Sequence, residues 1–235
     1  EKIMKNDDVV IICAFRTPIG KREGILSMYH AFELGGYVLK AILKKSKVDP
    51  NNIDEVILGQ VLTGGAGQNP ARQAAINAGI PVEKTAYLIN QVCGSGLRSI
   101  AAGYQSILLE DAKIIIAGGQ ESMTNASEKM MLKDGLTEFY GNYHMGITAE
   151  NVAKKWNITR EDQDNFALAS QTKAHEAFKK KRFKDEIIQG LKTDDLNKDE
   201  HPREGLTIKN LSKLKSVFKK NGTVTVGNSS GINDG

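Results

Sequence analysis

A cysteine flanked by glycines, in Asn90-Gln91-Val92-Cys93-Gly94-Ser95-Gly96-Leu97, is the segment of this chain best suited to covalent chemistry. It lies between a strand-like run at 86–89 and an amphipathic stretch, so Cys93 falls at or just before a first helical turn. There the free N–H groups and the positive end of the helix dipole favour a thiolate. Glycines beyond it let a substrate approach the backbone, and nearby N–H groups can receive an oxyanion. That suits a nucleophile carrying an acyl group as a thioester. Two other readings compete. A lone free cysteine is most often a small buried hydrophobe, the reading that fits Cys13 inside an apolar run. Gly94-x-Gly96-x-x-Ser99 also nearly matches a dinucleotide fingerprint, but its third position is Ser, and no acidic residue ends a strand about 20 residues on.

The elements that must position this loop alternate along the first half. Val9-Val10-Ile11-Ile12-Cys13-Ala14 reads as a buried strand, and 31–47 as a helix with Leu34, Val38, Ile42 and Leu43 at helical spacing. A second strand at 55–58, a short Ala-rich helix at 70–78 and a third strand at 86–89 follow. After Gly96 comes the clearest helix, with Leu97, Ile100, Ala101, Tyr104, Ile107 and Leu108 on one stripe. A fourth strand at 114–117 stops at Gly118-Gly119. This alternation implies an α/β fold, a mostly parallel sheet with helices on both faces and right-handed crossovers. In such a sheet the loops leaving the carboxyl ends of strands bind ligands.

After Glu121 the rhythm stops. The region 122–225 is more polar and mainly helical, with helices near 147–156 and 160–182. Thr159-Arg160-Glu161-Asp162 reads as a capping box with Asp in place of Glu. Lys179-Lys180-Lys181-Arg182 reads as a solvated helix end, and Met130 and Met131 as packing residues. From Val224 the chain returns to glycine-rich turns.

Composition narrows the function. No window approaches the roughly 20 apolar residues of a membrane helix, and Glu1-Lys2-Ile3-Met4-Lys5 has no signal-peptide core. With 2 cysteines and no C-x-x-C pair, neither a disulfide framework nor a metal site is supported, and free thiols fit a reducing compartment. The net charge of +4 and 6% aromatics, without a basic-aromatic patch, speak against nucleic acid and suit an anionic small substrate equally well.

Seven stretches carry a family resemblance: Ala14-Phe15-Arg16-Thr17-Pro18-Ile19-Gly20, Ile57-Leu58-Gly59-Gln60-Val61-Leu62, Gly67-Gln68-Asn69-Pro70-Ala71-Arg72-Gln73-Ala74, the Cys93 segment through Arg98, Gly118-Gly119-Gln120-Glu121-Ser122-Met123, Tyr143-His144-Met145-Gly146-Ile147-Thr148-Ala149-Glu150 and Gly227-Asn228-Ser229-Ser230-Gly231-Ile232-Asn233-Asp234-Gly235. In this order they resemble the thiolase family, and within it the acetyl-CoA acetyltransferase type. The resemblance implies a thiolase-fold domain over 1–121, a coenzyme-A-binding loop domain over 122–225 and a return to the first domain over 226–235. It implies that Cys93 takes an acetyl group from acetyl-CoA, and that a second acetyl-CoA condenses with it to acetoacetyl-CoA, reversibly. His144 and Met145 match the pair flanking coenzyme A, and Leu136, Arg203, Phe218, Val226, Ser230 and Gly231 match its other contacts. The family usually has Ala where this chain has Val226. Coenzyme A is then substrate and product, with no tightly bound cofactor and no metal.

The resemblance also marks departures. The family's second half, with a Gly-His-Pro histidine, an acid/base cysteine and an oxyanion-hole Asn, has no counterpart here. His30, His175 and His201 stand in other contexts. The joins Ser122 to Leu136, where the family has a loop used for tetramer assembly, and Ile188 to His201 are short. This reading takes the sequence as the ordered part of a longer protein, a truncated gene product being the alternative. A homodimer or homotetramer is implied, with the strand near 85–90 at a sheet edge. The absence of an Arg/Ser-rich presequence favours the cytoplasm over the mitochondrial matrix. Rival functions are a degradative 3-ketoacyl-CoA thiolase, a ketoacyl synthase and a non-catalytic coenzyme-A-binding homologue.

Overall fold

Val56 and Leu58 point to one side of their strand and Ile57 to the other, and all three are buried, as a strand covered on both faces requires. In the computed structural model, which describes residues 8–189, 191 and 198–235, the chain runs β1 (Gly20–Lys21), α1 (Ala31–Ser46), β2 (Glu55–Gly59), α2 (Pro70–Asn77), β3 (Thr85–Ile89), α3 (Ser95–Leu108) and β4 (Ile115–Gly119). It continues through α4 (Glu128–Met130), a π turn over Met131–Leu136, α5 (Met145–Lys155), α6 (Arg160–Lys179), α7 (Ile208–Ser212) and β5 (Asn233–Asp234). The Glu1–Lys5 stretch and much of the 188–201 join lie outside the described residues.

The sheet is parallel and ordered β3-β2-β4, with Glu55 opposite both Thr85 and Ile115. The strand near 85–90 therefore stands at an edge. On one face, Leu39 and Leu43 of α1 and Ala71, Ala74 and Ala75 of α2 pack on Val56, Leu58 and Ile116. Asn69 caps α2 by accepting from Arg72 N–H, ahead of Pro70 at the first helical position. The other face carries α3, whose sheet-facing residues are small: Ser95, Ser99 and Gly103, spaced by four, are buried. A Cβ on Gly103 would lie 3.2 Å from Ile115.

The apolar stripe of α3 points away from the sheet, with Leu97 76% and Tyr104 50% exposed. With Ile100 and Ile107 it lines a cleft of about 830 Å³, and the segment 9–16 borders the same cleft beside β4. The strand expected at Val9 to Ala14 does not form. Val10, Ile11 and Ile12 are exposed and Cys13 is half-buried, with burial raising its thiol pKa. A strand exists only through ladder partners, and this run has none among the described residues.

Beyond β4 the elements are helical, as expected. Thr159 and Asp162 form the anticipated capping box on α6. Met131 is buried and Met130 packs on Gly64. Lys180 and Lys181 lie exposed past the end of α6. Arg16 ties this region to the first, bonding Asp199 at 2.7 and 3.1 Å and Glu186 at 2.7 Å. Strand β5 returns antiparallel to β1. Among the described residues no helix is long and apolar enough to cross a membrane, and no group of three or more His, Cys, Asp or Glu is placed to hold a metal.

Candidate active site

The loop 90–94 leaves the carboxyl end of β3 and enters α3, and local bonds shape it. Gln91 N–H donates to Ser95 Oγ at 2.8 Å, while the Ser95 hydroxyl donates to Val92 O at 2.6 Å. Asn90 Oδ1 accepts from Val92 N–H at 3.0 Å. Val92 is held at φ 49, a left-handed conformation that β-branched residues rarely adopt. Cys93 follows as a free, exposed thiol at the start of α3. Its own N–H makes no hydrogen bond among the described residues.

Close backbone packing fixes the height of this loop. A Cβ on Gly59 would lie 2.5 Å from the Ser95 carbonyl carbon, so the first turn of α3 rests directly on the end of β2. Ser99 Oγ sits 2.6 Å from Gly96 O and from Gly118 O, linking that turn to β4. Gln60 N–H bonds Ile89 O at 3.1 Å. Residues 59, 89 and 119 are thus held level, and Cys93 stands just above them. The Ser99 position that spoiled the dinucleotide fingerprint is a helix-to-sheet bond.

Behind this platform Glu121 is half-buried. Its Oε2 accepts from Val61 N–H at 2.8 Å and Leu62 N–H at 3.3 Å, and its Oε1 has no partner among the described residues. Burial raises its pKa, outweighing those backbone donors. Gln120 Nε2 donates to Gln60 Oε1 at 2.8 Å. Sequence reading missed this layer. The spacing of Ser95, Ser99 and Gly103 was a usable signal, masked by the louder apolar stripe.

A second cluster forms at the start of α5. His144 caps the helix, its Nδ1 accepting from Gly146 N–H at 2.9 Å, which places the ring proton on Nε2. Its ring stacks on Phe218 with centroids 4.7 Å apart and planes 18° apart. Gly146 makes the stack possible, since a Cβ there would fall 2.2 Å from the Phe218 ring. Met145, 45% exposed, stands beside them. Glu150 anchors the turn bearing Phe218, accepting from Thr223 N–H at 2.7 Å and Val224 N–H at 2.8 Å. Burial alone would raise the Glu150 pKa, but these donors, the Thr223 hydroxyl and Lys219 bring it below the ordinary carboxylate value.

The structure therefore brings His144, Met145 and Phe218 together, with Leu136 one residue before the Thr137–His144 bridge. Arg203 is exposed, its N–H bonded to Gln171 Oε1 at 2.7 Å. Val226, Ser230 and Gly231 are exposed on the turn leading to β5. No hydrogen bond or ring contact joins Cys93 to the His144 cluster among the described residues.

Comparison with known proteins bears on this arrangement. The family described as "Thiolase, N-terminal domain" matches residues 9–130 and 126–235. The match divides inside the join between Ser122 and Leu136. An acetyl-CoA acetyltransferase of Rhizobium meliloti is 51% identical over 253 residues, covering 99% of this chain and 64% of its own length. One from Paracoccus denitrificans is 49% identical, with 96% of this chain and 63% of that protein covered. The crystal structure of the Bacillus anthracis acetyl-CoA acetyltransferase superposes with a TM-score of 0.87 at 36% identity, over 96% of this chain and 62% of that one. The chain thus spans less than two thirds of these relatives.

Proposed function

The chain belongs to the thiolase family, and on that premise we propose that it is the nucleophile-bearing part of an acetyl-CoA C-acetyltransferase. The observation that carries the reading is the exposed Cys93, presented by a strained loop at the head of α3, in a chain about half identical to proteins of that name. The Cys93 thiol gives up its proton, its sulfur attacks the thioester carbonyl of acetyl-CoA, the carbonyl–sulfur bond to coenzyme A breaks, and the released coenzyme A thiolate takes up a proton in place of the one lost. The free Cys93 N–H is suited to the oxyanion formed on the way.

A second acetyl-CoA must then lose a methyl proton to a base, and its carbanion takes the acetyl group from sulfur, giving acetoacetyl-CoA and free Cys93. The family resemblance assigns that proton to residues in the part of the relatives this chain does not span. Coenzyme A lies against His144, Met145 and Phe218, with Leu136, Arg203, Val226, Ser230 and Gly231 as further contacts. The domain bounds 1–121, 122–225 and 226–235, and a homodimer or homotetramer built across the β3 edge, belong to the same proposal. Met145 exposed beside His144 supports a short acyl group over the longer chains of a degradative thiolase, and a substrate-length series decides between them.

Intact mass after incubation with acetyl-CoA tests the core of the reading. A gain of about 42 Da, acetyl for hydrogen, is expected and is abolished by Cys93→Ser. Acetylation persisting in Cys93→Ser, or absent from the wild type, overturns it.

A further inference from the structure

His201 presses its ring on the backbone of Gly231. A Cβ added to Gly231 would lie 2.2 Å from His201 Cε1, 2.7 Å from Nε2 and 3.0 Å from Nδ1. The ring cannot easily withdraw, because the chain is pinned on both sides of it. Before it, Asp199 accepts from Arg16 and from Ile19 N–H at 2.8 Å, and Glu200 Oε2 accepts from Lys21 and Ile25 N–H at 3.0 Å each. After it, Pro202 restricts the backbone of residue 201, and Arg203 N–H is tied to Gln171 at 2.7 Å. On the other side, Arg22 N–H bonds Ile232 O at 2.9 Å and Asn233 sits in the β1–β5 ladder.

The chemistry at this contact is that of a spacer. His201 Nε2 and Asn233 Oδ1 are both buried with no hydrogen-bond partner among the described residues. Buried polar atoms are normally paired. The ring is held by its packing on Gly231 and by its pinned backbone.

We propose that His201 is a positioning residue, a wedge that sets the Ser230–Gly231 turn at the height needed to receive coenzyme A. The inference rests on the functional reading above and deepens it, because it gives a residue outside the ligand contacts control over ligand affinity. The wedge acts through the Gly231 backbone and touches no reacting atom. Its loss therefore weakens binding and leaves the acyl-transfer step unchanged.

The test is a double-mutant cycle, read as coenzyme A Kd and as KM and kcat for acetoacetyl-CoA. Gly231→Ala alone is expected to raise Kd and KM about tenfold, and to raise them by a clearly smaller factor once His201→Ala has removed the ring. His201→Phe, which keeps the wedge without its nitrogens, is expected to stay within about threefold of wild type. Equal losses from Gly231→Ala in both backgrounds, or a loss in His201→Phe as large as in His201→Ala, overturn the wedge. Variants that fold poorly lose kcat and Tm together, a pattern that also counts against it. A wild type without affinity for coenzyme A sinks the functional reading and this inference with it. Wild-type affinity with additive variants sinks the inference alone.

Discussion

At Val92 a β-branched residue takes φ 49, a conformation that costs on the order of 1–3 kcal/mol and persists only where neighbours over-determine it. Here the neighbours are Ser95 Oγ and Asn90 Oδ1, and the result is that Cys93 faces outward. The base of the loop is less forgiving still. A methyl at Gly59 would meet the Ser95 carbonyl carbon at 2.5 Å, a backbone atom that cannot turn aside. Gly59→Ala is expected to cost about 1–3 kcal/mol in urea unfolding and to slow Cys93 acetylation measured by mass. Unchanged acetylation in a destabilised variant would show that the loop height is set elsewhere. Glu121 makes a pH prediction. Its folded pKa is raised above the unfolded value, so its contribution falls as pH climbs from the ordinary carboxylate range through the folded pKa. Glu121→Gln should flatten that decline in chemical-denaturation midpoints above the ordinary carboxylate range, and an identical slope in the variant would refute the assignment.

Among the elements, α5 is where stability and binding come apart. Gly146 lies inside the first turn, where alanine would favour a helix by about 1 kcal/mol. The same methyl would collide with Phe218 and break its stack on His144. Gly146→Ala is therefore expected to change Tm little, the helix gain offsetting the displaced Phe218 ring, while weakening coenzyme A several-fold, which calorimetry resolves. Glu150 holds the other side of the stack through the 223–224 backbone. Its pKa is depressed, so its stabilisation is present above the unfolded carboxylate value and lost as pH falls through the folded one. Glu150→Gln should cost about 1–3 kcal/mol at neutral pH and lose the acid-side slope seen in the wild type. The helices themselves were largely legible in the residues. The Ala-rich run at 70–78, the capping box at Thr159 and the apolar spacing over 31–47 place the starts of α2, α6 and α1 where they stand, while α6 stops at Lys179, short of the expected 182.

Over the whole molecule, the apolar stripe of α3 and the run Val10 to Ile12 share one exposed cleft. A face of this kind binds hydrophobic probes and favours association. The 235-residue chain by itself is expected to enhance 8-anilinonaphthalene-1-sulfonate fluorescence and to self-associate at micromolar concentration. Replacing Leu97 and Tyr104 by Asn should reduce both with little loss of stability, since the two side chains are 76% and 50% exposed. Sedimentation unchanged by those substitutions would place the contact on another face.

Periodicity and punctuation in the sequence were enough to set the α/β alternation, the parallel sheet and the glycine-flanked Cys93 at the head of a helix, because these follow from contacts within a few residues. Tertiary structure alone decided which side of α3 meets the sheet. Hydrophobicity pointed to Leu97, Ile100 and Tyr104, yet the close approach of helix to strand at Gly59 and Gly118 admits only the small face of Ser95, Ser99 and Gly103. It also decided that Val9 to Ala14 has no ladder partner among the described residues, since a strand is defined by partners far away in the chain. The stack of Phe218 on His144 and the wedge of His201 on Gly231 join residues 74 and 30 positions apart, and no local pattern encodes a contact across that separation.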